Sequence, residues 1–267
     1  MQTNIACMQC QIDEGVPNFS SISIVRIPDD GVLELTCNRG HRTFTIIQQM
    51  KFELLADMAI KAIVDGYYRD AVASFAGALE RLQEFFFRAT CRKQGVAAPT
   101  FDRAWKNMSN QSERQLGAFI SAYLVETGEP PKLLDQRETQ FRNGVIHKGV
   151  FPTRDATVQF GQAVLECARP ILLMLRSEPY SADVRSLVME SISDRSKPAW
   201  EAGQRTSTLS INTFLSLGSA DEHTDVDLAV AHYAARPDFG EAVKGSQQLG
   251  AIMEAARQAV SSVQREP

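Results

Sequence analysis

The sequence lacks the features that mark membrane and secreted proteins. Its longest apolar run, ARPILLML, is interrupted by Arg169 and Pro170 and is far shorter than the roughly 20 residues that a membrane-spanning helix needs. The N-terminus has neither the basic start nor the continuous apolar segment of a secretory signal. The five cysteines are an odd number and too few for a disulfide-rich scaffold. We therefore expect a soluble, cytoplasmic protein with reduced thiols and no membrane contact.

The sequence also has no large excess of one charge and no internal repeat. The formal net charge of −4 gives no attraction of the whole molecule to nucleic acid, so RNA binding would need a local basic patch or a dimer seam. The segment GYYRDAVASFAGALE looks like half of a helical repeat, but no second copy follows at a period of about 34 residues. The 267 residues, of which 44% are hydrophobic, are typical of a globular protein with more than one domain.

Three segments with different periodicity predict three domains. Residues 1–48 alternate apolar and polar, and the turn residues PDDG between SSISIVRIP and GVLELTC predict a β-hairpin. From about Gln49 the apolar residues recur at spacings of three and four, which predicts a bundle of four or five helices over residues 49–177, hinged near Gly66. Residues 178–267 are less regular and predict a helical C-terminal extension. The expected fold class is therefore mainly α, with a small N-terminal β module.

The β module contains two pairs of potential metal ligands. Cys7 and Cys10 form the motif CMQC, and Cys37 and His41 form the motif CNRGH after 26 intervening residues. Structural zinc takes four cysteine or histidine ligands in a tetrahedron, and two short turns that each present a pair supply them without a large core. The pattern predicts a structural Zn²⁺ held by these four residues. Because all four positions would be filled by protein, the metal would fold the module and would not catalyse.

An alternative interpretation of Cys7 and Cys10 is a redox pair or two incidental cysteines. Thioredoxin-like chemistry places Cys-x-x-Cys between a strand and a helix, and the sequence predicts no such unit here. The segment resembles a zinc ribbon, a fold often used to hold nucleic-acid or protein partners. The resemblance implies that a protein partner could also bind through this module. Cys91 and Cys167 lie in helical patterns among apolar neighbours and are assigned to the core.

The segment FRNGVIHKG brings together an arginine, an asparagine and a histidine. Residues on a helix advance by about 100°, so Asn143 and His147 share a face and Asn143 can hydrogen-bond the imidazole. Arg142 and His147 diverge by about 140°, so they would converge on one phosphate only if the helix unwinds at its glycines or if two chains share a cleft. The alternative is that these residues cap the C-terminal end of a helix, where cations interact favourably with the helix dipole.

The hexapeptide RNGVIH matches the signature of arginine, four to six residues, then histidine that is typical of the HEPN superfamily. These are helical-bundle proteins, many of them metal-independent ribonucleases that act as dimers. The segment AIVDGYYRDAVASFAGALERL resembles the early helices of that bundle, and the resemblance covers about residues 50–176. It implies a homodimeric endoribonuclease, of a kind used in stress response or phage defence, with Arg142, Asn143 and His147 as catalytic residues.

The arginine and histidine suit RNA cleavage by a mechanism that needs no metal. Histidine can accept the proton of a ribose 2′-hydroxyl near neutral pH, and arginine can stabilise the phosphorane that forms. The expected products carry 2′,3′-cyclic phosphate and 5′-hydroxyl ends. Around the motif, basic side chains outnumber acidic ones by five to two, and paired carboxylates are scarce. We expect Arg137, Lys148 and Arg154 to bind the RNA and Glu80 to orient Arg142.

A second hypothesis comes from a different functional class. The helical bundle could be catalytically silent and bind RNA or protein, with the zinc module as the recognition surface. The two hypotheses share the predicted fold and metal site and differ only in whether bound RNA is cut.

Overall fold

The computed structural model of the protein describes residues 1–15, 18–108, 111–218, 224–236 and 239–263, except for the side chains of 239 and 257–263. Within these ranges the chain is mainly helical with a small β component near the N-terminus, as predicted. It forms two compact units. Unit 1 comprises residues 1–48, 191–211 and the chain from 236 onward, and unit 2 comprises 49–190 and 212–235. The predicted C-terminal extension is thus divided between the two units.

The described residues contain ten α-helices and five strands. The helices are α1 (Met8–Glu14), α2 (Lys51–Val64), α3 (Tyr68–Lys93), α4 (Ala98–Trp105), α5 (Ser112–Thr127), α6 (Gln136–His147), α7 (Arg154–Arg176), α8 (Ser181–Glu201), α9 (Val226–Ala234) and α10 (Phe239–Val263). The strands are β1 (Gln2–Ile5), β2 (Ser23–Arg26), β3 (Val32–Thr36), β4 (Arg42–Ile47) and β5 (Thr206–Leu209).

The predicted hairpin between β2 and β3 is wrong. β2 pairs antiparallel with β1, with Gln2 opposite Arg26, whereas β3 pairs antiparallel with β4. The turn itself forms, since the Gly31 N–H donates to the Pro28 carbonyl at 3.0 Å and Gly31 has a φ of 67°. The turn connects strands of two different sheets because β2 pairs with β1 instead of β3. β1 lies just before the cysteine pair, and the sequence pattern did not reveal it.

The polar stretch RTSTLSINTF contains a strand that was not predicted. β5 lies parallel to β4 and completes a sheet with the order β3-β4-β5. Its hydroxyl groups form hydrogen bonds with side chains of β4 and of the residue that follows β4. Thr45 and Ser207 hydrogen-bond at 2.9 Å, and the Gln48 side chain donates to Thr208 at 2.9 Å. Three of the four residues of β5 are Thr or Ser although its register partners on β4 include Phe44, Ile46 and Ile47, so the strand carries no apolar alternation.

Unit 2 is built around α3. Phe75, Leu82 and Phe86 on this helix are fully buried. α7 crosses it closely, because a Cβ atom added to Gly161 would lie 2.6 Å from the Phe75 ring. The predicted hinge between the first two long helices is confirmed, since α2 ends at Val64 and α3 begins at Tyr68 after Gly66, whose φ is 80°.

One described helix, α7, is long and apolar enough to cross a membrane by length and composition alone. Slightly more than half of its most apolar window, 56%, is buried within the protein. Phe160, Val164 and Leu175 of this helix belong to the core of unit 2. Such burial is typical of the core helix of a soluble protein.

Two buried carboxylates of α2 hold the segment that precedes α9. Glu53 accepts hydrogen bonds from the backbone N–H groups of Met50, at 2.7 Å, and Leu217, at 2.8 Å. Asp57 accepts from the Phe214 N–H at 3.3 Å and from the Tyr233 hydroxyl. Burial raises the pKa of Glu53 to about 7, against the lowering effect of these N–H donors and of Arg176.

The raised pKa of Glu53 predicts a pH-dependent stability. Between its ordinary value of 4.5 and its folded value of about 7, the folded protein binds the proton more tightly than the unfolded chain. The free energy of unfolding should therefore fall as the pH rises through this window. We expect wild type to lose about 2 kcal/mol relative to Glu53→Gln between pH 5 and pH 8, measured by urea denaturation. The exposed Glu113→Gln should track wild type, and a difference between Glu53→Gln and wild type that does not change with pH would contradict the prediction.

Candidate functional sites

Three cysteines and one histidine of unit 1 converge in space. Cys7 is the N-cap of α1 and Cys10 lies in its first turn, while Cys37 and His41 lie at the two ends of the β3–β4 turn. The Sγ atoms of Cys10 and Cys37 are 3.8 Å apart. The Nδ1 atom of His41 lies 3.4 Å from the Sγ of Cys10 and 3.8 Å from that of Cys7. All four potential ligand atoms lie within 4.8 Å of one another.

These separations suit a tetrahedral metal ion. An ion bound at about 2.3 Å from sulfur and about 2.0 Å from nitrogen would separate two sulfur ligands by about 3.8 Å and a sulfur and a nitrogen by about 3.6 Å. The observed values are 3.8 Å for the Cys10–Cys37 pair and 3.4 and 3.8 Å for the two pairs with His41. The cluster can therefore hold a metal ion, and it consists of the four predicted ligands.

Hydrogen bonds from neighbouring groups support the thiol sulfurs. The Arg39 N–H donates to the Cys37 Sγ at 3.4 Å, and the Gly40 N–H closes the turn onto the Cys37 carbonyl at 2.9 Å. The buried Asn18 side chain donates to the Cys10 Sγ at 3.3 Å. On the other side of the imidazole, the Nε2 atom of His41 faces the Asp13 carboxylate at 3.8 Å. Such outer contacts orient metal ligands.

The two buried thiols Cys10 and Cys37 differ in acidity. Burial raises the pKa of Cys10 to about 11, although Asn18 acts in the opposite direction. Burial has the same effect on Cys37, but backbone hydrogen bonds from Arg39 and His41 and contacts with the other thiols outweigh it, so the pKa of Cys37 is lowered. A cation bound in the cluster would stabilise the thiolate form of both.

The surroundings of Cys7 and Cys10 correct one step of the sequence argument. The motif was expected to lie outside any strand-to-helix unit, but β1 ends at Ile5 and α1 begins at Met8. The secondary structure therefore does not separate a redox pair from a metal site. The proximity of Cys37 and His41 does favour a metal site, because a dithiol pair needs no further ligands.

Four residues of the second predicted motif line one cleft in unit 2. The cleft has a volume of about 630 Å³ and lies among α3, α5, the segment before α6, and α6 itself. Arg142, Asn143, His147 and Lys148 all contribute to its wall. α6 begins after Asp135, whose side chain caps the helix, and ends at His147. Arg142 and His147 thus line the same cleft from one regular helix.

The guanidinium group of Arg142 is held by two side chains. Its Nη2 donates to the Glu80 carboxylate of α3 at 2.7 Å, and its Nη1 donates to the Asn143 side chain at 3.1 Å. The predicted pairing of Glu80 with Arg142 is therefore present, with a Glu80 side chain that is 40% exposed. Asn143 was expected to hydrogen-bond His147, but its oxygen accepts from Arg142.

The charge of the cleft differs from the one suggested by the sequence around the motif. Glu80, Glu84 and Glu113 also line it, and Glu84 pairs with Arg81. Carboxylates are scarce in the sequence around the motif, but three of them line the folded cleft. Glu80 and Glu84 are four residues apart on α3, so they lie on one face of the helix. This spacing could have predicted from the sequence that Glu84 lies in the same cleft as Glu80.

Two of the three predicted RNA-binding residues lie outside this cleft. Arg137 lines a separate, smaller cavity of about 190 Å³, and Arg154 pairs with Asp227. Lys132, which contributed to the predicted basic patch, pairs with Glu166. Ion pairs therefore neutralise much of the positive charge around the motif, and Lys148 is the predicted RNA-binding residue that lies in the cleft.

Comparisons of the chain with protein-family models, with curated proteins and with solved structures find no match. The function is therefore inferred from the two sites themselves.

Proposed function

We propose that the protein is an endoribonuclease whose active site is the cleft lined by Arg142, Asn143 and His147. The observation that carries the proposal is that these three side chains reach one cleft, with Glu80 bonded to Arg142 at 2.7 Å. A proton-transfer group and a permanent cation beside one open cleft are the two functions that cleavage by an adjacent hydroxyl requires. The resemblance of the motif to that of HEPN ribonucleases supports the same reaction.

The proposed reaction is an internal transfer at phosphorus. The ribose 2′-oxygen forms a bond to the adjacent phosphorus, its proton passes to the imidazole of His147, and the bond from phosphorus to the 5′-oxygen breaks. The departing 5′-oxygen takes a proton from solvent. Arg142 stabilises the charge that develops on the phosphorane, because a guanidinium has five N–H donors and the two bonds to Glu80 and Asn143 leave others free for phosphate oxygens.

A cleavage assay with matched variants tests the proposal. Purified protein is incubated with end-labelled mixed-sequence RNA without added magnesium. We expect cyclic-phosphate products from wild type and a rate at least about 100-fold lower for His147→Ala and Arg142→Ala, since proton transfer and charge stabilisation each contribute that much. His232→Ala and Arg185→Ala, which change exposed residues of unit 2, should behave as wild type.

RNA with 2′-O-methyl groups provides a second control for this assay, because it lacks the attacking hydroxyl and should remain intact. Cleavage of that RNA, equal cleavage by all variants, or no cleavage of any RNA by wild type would contradict the proposed reaction.

One observation counts against cleavage in this cleft and so favours the second candidate, a bundle that does not cut RNA. Glu80 and Asn143 already bind Arg142, and two further glutamates line the cleft, so its ground state offers a phosphate little net positive charge. RNA binding by wild type without cleavage would support this candidate.

We further propose that the cysteine and histidine cluster binds structural Zn²⁺ in a ribbon-like module. Three thiolates and one imidazole are one of the usual tetrahedral ligand sets of structural zinc, and the Cys10–Cys37 separation of 3.8 Å matches its bond lengths. The β3–β4 turn resembles a zinc knuckle, since a backbone N–H bonds the Cys37 sulfur. The four ligands join α1 to the β3–β4 turn.

Elemental analysis tests the metal. We expect about one equivalent of zinc per chain in purified wild type and substantial loss in Cys37→Ser, because three ligands hold zinc less tightly than four. Cys91→Ser, which changes a partly buried thiol outside the cluster, should keep its zinc. Wild-type protein that is metal-free and fully folded would contradict the proposal.

We also propose that the active form is a homodimer. Val150 and Phe151 directly follow the motif, and the Phe151 side chain is 87% exposed. The Val150 N–H donates to the Gly144 carbonyl at 3.1 Å, which holds this apolar pair close to the end of α6. An exposed apolar pair beside a cleft is suited to a contact between two copies.

Light scattering after size-exclusion chromatography tests the dimer. We expect wild type to be dimeric at micromolar concentration, and Phe151→Glu to be monomeric with reduced cleavage, because a buried charge disfavours the contact. Met189→Lys, a change at another exposed apolar residue of unit 2, should remain dimeric. A strictly monomeric wild type would contradict the proposal.

A further inference from the structure

Unit 1 contains a groove that none of the functions above uses. It has a volume of about 580 Å³, which is within the usual range of ligand sites. Three parts of unit 1 form its walls. They are α1, β4 with Arg42, and the chain from the end of α8 to the start of β5, which contributes Trp200, Gly203, Arg205 and Thr206. We call this the Trp200 groove.

The Trp200 side chain is fixed and accessible. It lies in the last turn of α8 and is 49% exposed. Its Nε1–H donates to the Thr206 hydroxyl at 2.9 Å, which holds the indole against the start of β5. Gly203, with a φ of 71°, turns the chain between these two residues. An exposed aromatic ring held by a hydrogen bond can stack on a flat ligand with little loss of side-chain entropy.

The lining of the groove contains two cations, one of which is ion-paired with a neighbouring carboxylate. Arg42 and Arg205 are its charged residues, and none of the described residues that line it carries a carboxylate. Arg205 is exposed and has no ion-pair partner among the residues that the structure describes. Glu34 bonds the Nε of Arg42, and the guanidinium lies 5.1 Å from the Phe44 ring centre, so this cation is oriented while its two terminal nitrogens stay available.

We infer that the Trp200 groove binds single-stranded nucleic acid, with one base stacked on Trp200 and the flanking phosphates bound by Arg42 and Arg205. An aromatic platform beside a cationic groove is the common chemistry of single-strand binding. A duplex is excluded because its bases stay stacked on each other. The inference does not depend on RNA cleavage.

Intrinsic fluorescence reads this site directly, because the chain has only two tryptophans. Trp105 stacks on Phe101 in unit 2, so Trp105→Phe leaves Trp200 as the single reporter. A 2′-O-methyl 12-mer of mixed sequence is titrated into this variant, since such a strand cannot be cut by 2′-hydroxyl attack. We expect saturable quenching of the Trp200 fluorescence. The logarithm of the association constant should fall with the logarithm of the salt concentration at a slope of about −1.4, which corresponds to two phosphate contacts.

Fluorescence polarisation of the same labelled strand compares the variants. Trp200→Leu should weaken binding at least about five-fold, because one stacked base is lost. Trp200→Phe should keep most of the affinity, and Trp105→Phe should bind as wild type. Arg205→Gln should weaken binding and reduce the salt slope. Circular dichroism confirms that each variant is folded.

Three results would overturn the inference. They are unchanged affinity in Trp200→Leu, equal affinity for a duplex of the same sequence, and equal affinity for a polyglutamate peptide of the same charge, which would indicate an acidic protein partner. Because the probe cannot be cleaved and the reporter lies in unit 1, binding with no ribonuclease activity would refute the proposed reaction and leave this site standing.

Discussion

The burial of one face of α3 is the constraint on which unit 2 depends. Phe75 and Phe86 lie fully inside the core, and α7 can approach them because Gly161 has no side chain to collide with the Phe75 ring. The same helix presents Glu80 and Glu84 to the cleft. The position of the carboxylate that binds Arg142 is therefore set by core packing, since α3 cannot turn without exposing phenylalanine side chains.

Unit 1 has short strands, and the cysteine and histidine cluster connects two of its parts. Its strands have four to six residues, and short strands in small sheets bury too little apolar surface to be stable alone. The four-ligand cluster joins α1 to the β3–β4 turn, so an ion there would replace part of a core. Burial raises the pKa of the Cys10 thiol to about 11, so a cation that binds there would displace its proton.

Local patterns in the sequence predicted what depends on local interactions. The spacing of apolar residues indicated α2 and α3 and the hinge at Gly66, and the two short motifs identified four potential metal ligands that do converge. Pairings between distant segments were not predictable. β5 has no apolar alternation of its own and is a strand because it pairs with β4, about 160 residues earlier in the chain. Arg154 and Lys132 look like part of a basic patch in the sequence, but in the structure they are paired with Asp227 and Glu166. The grouping of Trp200 with Arg42 was likewise not predictable, because no pattern along the chain connects the two residues.

The parallel pairing of β4 with β5 has a consequence for how the protein is made. Phe44 lies opposite Thr206, so about 160 residues must leave the ribosome after β4 before its second neighbour exists. Most of unit 2, residues 49–190, is complete by then and can fold first, because domains generally fold as they emerge. Until then β4 has one free edge, and the groove next to it has no third wall. A nascent chain can thus form most of its bundle before its Trp200 groove, and a product cut short before β5 would contain the RNGVIH segment without the surface that we infer holds single strands.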